Sequence, residues 1–173
     1  MVRKMMFVAA AIVLGAAGER TAVAQQDAAA EIAALKAEIA EIRGMLPSQS
    51  HTMTDVEYNF ANLWFAAHEG NWPLATFYFN ETRGRLNWAV RVRSVRKLAN
   101  GSDLDLRPIL KGVEDTALTG LKAAIDKQDV AAFEPAYKTM LGECQACHTA
   151  AEKPFLKTKV PAAPPAAIID MRK

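Results

Sequence analysis

The sequence predicts an all-α protein, an antiparallel four-helix bundle preceded by a short coiled-coil-like helix, and three observations carry that expectation. Apolar residues recur at helical spacing along most of the chain. No run alternates apolar and polar residues as a half-buried strand would. Cap residues, glycines and prolines cut the periodic stretches into segments joined by short links.

The first 24 residues are expected to be removed rather than folded. Arg3 and Lys4 make a positive start, residues 5–17 an apolar stretch, and Ala22-Val23-Ala24 a small-residue cleavage site, which is the pattern of an export signal cut after Ala24. The apolar stretch falls short of the roughly 20 residues a membrane span needs, and no later stretch reaches that length. The expected product is a soluble periplasmic protein with no membrane span. Losing Arg3, Lys4, Arg20 and Glu19 takes the formal charge from +2 to 0. That removes the electrostatic footprint nucleic-acid binding requires.

Residues 25–50 form the next segment, in which Ala28, Ile32, Leu35, Ile39, Ile42 and Leu46 repeat in a 3-4 pattern with Glu31, Lys36, Glu38, Glu41 and Arg43 between them. So short a seam is marginal alone, so it is expected to pair copies into a homo-oligomer through residues 28–46, or to dock back on the main domain. Gly44, Pro47, Ser48 and Ser50 mark a break before a domain over residues 51–152. Its first helix is expected near Thr54, which with Glu57 makes a capping box, and turns Val56, Phe60, Leu63, Trp64 and Ala67 inward until Gly70. Asn71 caps a second helix with Pro73 in its first turn. That helix is expected to reach about Leu98, stop at Asn100-Gly101, and bury Leu74, Phe77, Tyr78, Trp88, Val92 and Val95. A third begins after Asp105, with Pro108 in its first turn, and carries Ile109, Leu110, Val113, Ala117, Leu121 and Ile125. A fourth begins near Asp129 with Phe133, Tyr137, Met140 and Leu141, and Pro135 predicts a kink or a later start. Residues 153–173, with Pro154, Pro161, Pro164 and Pro165, are expected to be an extended surface tail.

The chemistry concentrates in Cys144-Gln145-Ala146-Cys147-His148. Two cysteines three apart on a helix put both sulfurs on about the same side, within reach of the two vinyl groups of one porphyrin. The C-x-x-C-H spacing is that of covalent haem attachment, with Cys144 and Cys147 as thioethers and His148 on iron. The chain has no other cysteine, so no disulfide is left to build. A thioredoxin-like pair would stand at a helix N-terminus after a strand, which the pattern lacks. Zinc would need about four ligands, and the only other histidines, His51 and His68, lie far upstream. One covalent haem c is therefore the expected cofactor.

On those residues the chain resembles the cytochrome c′ group, the class II c-type cytochromes, over roughly residues 52–150. The placement of Cys144, Cys147 and His148 near the C-terminus carries the likeness most strongly. Leu63-Trp64-Phe65-Ala66, followed by Gly70-Asn71-Trp72, looks like a branch of small exported relatives of that group. The resemblance implies a monohaem four-helix bundle, two thioether cysteines, a histidine proximal ligand and a distal side formed by the first bundle helix. Low-spin members of the group set a methionine opposite the histidine, and c′ proper leaves that position open.

On the distal side, the residues centred on the expected inward face are Phe60, Leu63, Trp64 and Ala67, none of which ligates iron. Met53, His51 and His68 are candidate sixth ligands, each with a plainer reading. Met53 would be the partner of Tyr58 in a hydrophobic staple, His51 would lie in the break, and His68 falls at the edge of the face. Met140 is expected to pack at the ring edge. Arg83, Arg85, Arg91, Arg93, Arg96 and Lys97 form a basic stretch that is either a solvated face or a patch for haem propionates or an acidic partner.

The expected function is single-electron transfer between redox partner proteins, with no enzymatic activity, because no paired acids or activated nucleophile are evident. The alternative is a five-coordinate protein that binds a diatomic gas, nitric oxide or carbon monoxide. A third reading, an interaction module in which haem is structural cement, ranks below both.

Overall fold

Helical periodicity becomes helix along most of this chain. The structure, a computed structural model, describes residues 2–166 and 168–173, with side chains from residue 24 onward. The expected export signal therefore lies outside the described side chains, apart from Ala24 at its end. The chain divides into two units, Met1–Leu46 and Pro47–Lys173. The first is one helix, α1 (Val2–Met45), on which Ile32, Leu35, Ile39 and Ile42 are each about half exposed. Among the described residues, no helix is long and apolar enough to cross a membrane.

The second unit contains α2 (Gln49–His68), α3 (Trp72–Val92), a hairpin of β1 (Val95–Lys97) and β2 (Asp103–Asp105), α4 (Leu106–Val113), a π-helical turn (Glu114–Leu118), α5 (Thr119–Asp126) and α6 (Val130–Ala150). It is all-α but for that hairpin. Phe60, Leu63, Tyr78, Phe79, Leu118, Leu121, Phe133 and Tyr137 fill its core.

Two expected boundaries move, each for a local reason. Helix α2 starts at Gln49 because Ser48, extended after Pro47, accepts the amide of His51 on its hydroxyl. Thr54 is then interior, its hydroxyl donating to the Ser50 carbonyl, so it caps nothing. With Thr54 no longer a cap, Met53 is a helical residue within α2 and the expected staple with Tyr58 loses its basis. Helix α3 ends at Val92, not near Leu98, and β1 pairs antiparallel with β2, Val95 opposite Asp105. Asn100-Gly101 serves this hairpin: Gly101 takes φ +83°, and Asn100 Oδ1 accepts from the amide of Ser102.

The buried face of α3 also differs from the expected one. Phe77 is 53% exposed, and Trp88 and Val95 are substantially exposed, whereas Ala75, Tyr78, Phe79, Thr82 and Ala89 are buried. Ala75, Thr82 and Ala89 mark the buried stripe of α3 at helical spacing, and Phe77 and Trp88 fall off that stripe. In the next helix an extra residue is accommodated as the π-helical turn, where the Thr119 hydroxyl reaches back to the Glu114 carbonyl. Helix α6 starts at Val130 under an Asp129 cap and continues through Pro135, so the later start does not occur. The carbonyl that Pro135 cannot satisfy belongs to Ala131, which is exposed to water.

Helices α2 and α6 run antiparallel, as a ladder of ring contacts records. Phe60 stacks on Tyr137 at 4.2 Å and 7°, Trp64 meets Tyr137 at 4.9 Å and Phe133 at 6.0 Å, and His68 reaches Glu134 at 3.3 Å. The buried Tyr137 hydroxyl donates to the Phe60 carbonyl at 2.9 Å. The tail is more than surface wrapping. Its Thr158 hydroxyl bonds the Leu141 carbonyl on α6, the Ala166 amide bonds Asn62 on α2, and the Arg172 carbonyl accepts from Asn71 before α3. Ala166 and Met171 are buried in the core.

Candidate functional site

The C-x-x-C-H residues occupy the last two turns of α6, at one end of the domain. Three other segments meet there. Gln49 at the start of α2 donates to the Arg93 carbonyl after α3 and accepts from the Arg96 guanidinium on β1 at 2.9 Å. Glu152, just past α6, accepts the amide of Ala99 in the hairpin turn at 2.6 Å.

Cys144 and Cys147 are unbridged, and both are partly buried, Cys144 against the hydrophobic core. Burial, and then the neighbouring Cys147, pushes the Cys144 thiol up to about 12; burial also raises Cys147. Both sulfurs are therefore held as neutral thiols at neutral pH. A redox-active pair needs the opposite shift, and so does a thiolate metal site. Among the described residues, no group of three or more His, Cys, Asp or Glu side chains is gathered to hold a metal ion. Neutral sulfur in an apolar setting matches the environment a thioether prefers.

His148 shows a second arrangement. Its Nδ1 lies 2.9 Å from the carbonyl oxygen of Leu156. A carbonyl only accepts, so Nδ1 carries the proton and Nε2 is left with its lone pair. The chain reaches this position because α6 ends in a Schellman-type turn, with Lys153 N bonded to His148 O and Glu152 N to Thr149 O. Glu152 adopts φ +58° to make that turn. Gln145, one of the two residues between the cysteines, accepts the Thr158 amide on Oε1 at 3.0 Å. The Leu156 carbonyl acts through backbone that every residue has, so no side-chain pattern announces it.

The candidate sixth ligands separate. His68 has both ring nitrogens engaged, Nδ1 on the Trp64 carbonyl at 2.8 Å and Nε2 on Glu134, at the level of Glu134 rather than of Cys144. His51 is exposed in the first turn of α2. Met53, now helical, sits seven residues before Phe60 and hence within about 20° of it around α2. Cys144 likewise follows Tyr137 by seven. From the Phe60–Tyr137 contact, two turns back along α2 and two turns on along α6 lead in the same direction, by about 10 Å each. By ideal helix rise, Met53 lies about as far from that contact as Cys144 does. Met140 is buried one turn before Cys144.

The basic stretch does not act as one patch. Arg85 pairs with Asp55 and Glu81, and Lys97 with Asp103 at 2.7 Å. Arg83 and Arg91 line two separate grooves against α4 and α5, and neither groove borders Cys144, Cys147 or His148.

No family model, curated protein or solved structure matches this chain. Its own residues therefore carry the functional argument. Their chemistry is compatible with one covalently held haem: two unbridged thiols on one helix and an imidazole whose Nδ1 is hydrogen-bonded to a carbonyl.

Proposed function

We propose that this protein is a periplasmic monohaem c-type cytochrome of the cytochrome c′ kind, a single-electron carrier built on a four-helix bundle of α2, α3, α4–α5 and α6. The observation that supports it most is the bond from His148 Nδ1 to the Leu156 carbonyl, directly after the Cys144/Cys147 pair. An imidazole destined for iron has its other nitrogen donating to an outer acceptor, which orients the ring and raises its basicity. When bound, the haem supplies a one-electron couple at iron.

The chain's own residues do the rest. Cys144 and Cys147 would hold the haem as thioethers, each thiol adding its sulfur and its hydrogen across one vinyl group, so attachment would need no oxidant. His148 would bind the iron through Nε2. Met53 would be the further ligand, and its thioether favours the electron carrier over the open gas-binding site. The exposed apolar seam of α1 supports pairing with a second copy.

Optical spectra of protein exported from a host that matures c-type cytochromes test this reading. Sharp low-spin bands in both redox states are expected, with haem retained under denaturing conditions. Met53→Leu should convert them to broad high-spin bands that shift with carbon monoxide, while His68→Leu leaves them unchanged. A wild-type spectrum that is already high-spin would favour the gas-binding reading. Free thiols in place of attached haem would exclude both.

A further inference from the structure

The tail between α6 and the core has a local order that covering a surface does not require. Between Pro154 and Thr158 it makes four hydrogen bonds with the last turns of α6. The Leu156 carbonyl holds His148 Nδ1, the Thr158 amide bonds Gln145 Oε1, the Thr158 hydroxyl donates to the Leu141 carbonyl, and the Pro154 carbonyl accepts from Gln145 Nε2 at 3.4 Å. Phe155 and Leu156 are exposed, so hydrophobic burial does not pin the segment. Hydrogen bonds do.

The segment also begins with strain. Glu152 occupies the left-handed region at φ +58°, where glycine is usual, at a cost of about 1–2 kcal/mol. Its carboxylate bonds the Ala99 amide, which helps hold that conformation. A strained, over-determined turn that delivers one carbonyl onto one imidazole has the form of a positioning device.

We propose that residues 153–158 are a proximal strap that fixes the His148 imidazole in orientation and tautomer, with Gln145 and Thr158 as its positioning residues. The proposal rests on the haem reading above. It adds that residues outside the C-x-x-C-H ligands set the electron-donating strength of the histidine. An imidazole whose Nδ1–H is bonded to a carbonyl donates more strongly through Nε2 and favours the oxidised metal. Thr158 and Gln145 act through the backbone segment whose Leu156 carbonyl bonds the ring.

The test compares wild type with Thr158→Val, Gln145→Leu and the conservative Thr158→Ser, all as exported full-length protein. Thr158→Val and Gln145→Leu should keep covalent haem and raise the reduction potential. The expected shift is about tenfold in the reduced-to-oxidised ratio, or 59 mV for a one-electron couple. The His148 Nδ1 proton, followed by nuclear magnetic resonance with labelled histidine, should exchange with solvent several-fold faster. Thr158→Ser should restore both properties. Variants that keep haem, potential and ring-proton exchange at wild-type values would overturn the strap. Should a variant misfold, the exchange measurement on Thr158→Ser and wild type still decides: rapid exchange in wild type overturns the proposal, and slow exchange in both supports it. Wild-type protein that exchanges slowly but never acquires haem would instead overturn the cytochrome reading, and with it the strap's role toward iron.

Discussion

The two ends of the α2–α6 pair differ in what their side chains are for. At one end Phe60, Trp64, Phe133 and Tyr137 interlock as rings, His68 and Glu134 close the edge, and Phe133 and Tyr137 are almost wholly buried. Two turns away, Met53, Cys144, Cys147 and His148 are only partly buried, and the polar contacts run to the tail and the hairpin. The same helices supply packing energy at one end and, on the proposed reading, ligand chemistry at the other. Stability and reactivity should therefore be separable by mutation.

The largest effect should come from the chemical end. Replacing both cysteines, Cys144→Ala with Cys147→Ala, should abolish covalent haem, leaving intact mass equal to the bare chain. Haem still bound after denaturation would break the comparison. At the packing end, Phe133→Ala should cost about 3–5 kcal/mol in urea unfolding, since it removes a fully buried ring. It should leave haem attached in whatever fraction folds.

A pH experiment sharpens the contrast. In haem-free protein the Cys144 thiol, raised by burial to about 12, contributes stability that is complete below its ordinary pKa near 9 and is lost as pH rises towards 12. Tyr137, also raised by burial, adds alkaline sensitivity of the same sign above its own usual range. On the proposed reading, haem attachment would convert the thiols to thioethers, which do not titrate. Alkaline unfolding followed by circular dichroism should therefore begin at lower pH in haem-free than in haem-loaded protein.

Tyr137→Phe should cost about 1 kcal/mol, the net value of one buried hydrogen bond to the Phe60 carbonyl. Glu134→Gln should matter least. Lys138, then His68, lowers the Glu134 pKa, so its contribution is present above the ordinary carboxylate range and is lost as pH falls through the lowered value. The carboxylate is exposed and screened by solvent, so the substitution should barely move the acid limb of the stability profile.

Much of the helical layout was legible because its signals are local. Asn71 and Asp129 cap where the sequence places them, each accepting an amide of the following turn. The end of α3 misled because Val92 and Val95 satisfy either a helical face or a short strand. What decides is the pairing of Val95–Lys97 with Asp103–Asp105, which lies outside any one helix-length window. Thr54 and Glu57 make a valid capping pattern, but Ser48 offers an earlier one next to Pro47, and the longer helix satisfies more backbone groups. At the site, Cys144, Cys147 and His148 were readable from spacing. Leu156 was not, because it acts through a carbonyl that every residue possesses.

By itself the sequence determined the helical character of the chain and the grouping of two thiols and an imidazole, because both follow from spacing along one backbone. Tertiary structure alone decided the rest: that α2 and α6 meet antiparallel at Phe60 and Tyr137, that both His68 nitrogens are engaged elsewhere, and that the tail returns to His148. These depend on the register between segments far apart in sequence. That register is set by ring packing and by backbone hydrogen bonds, which leave little trace in any one segment.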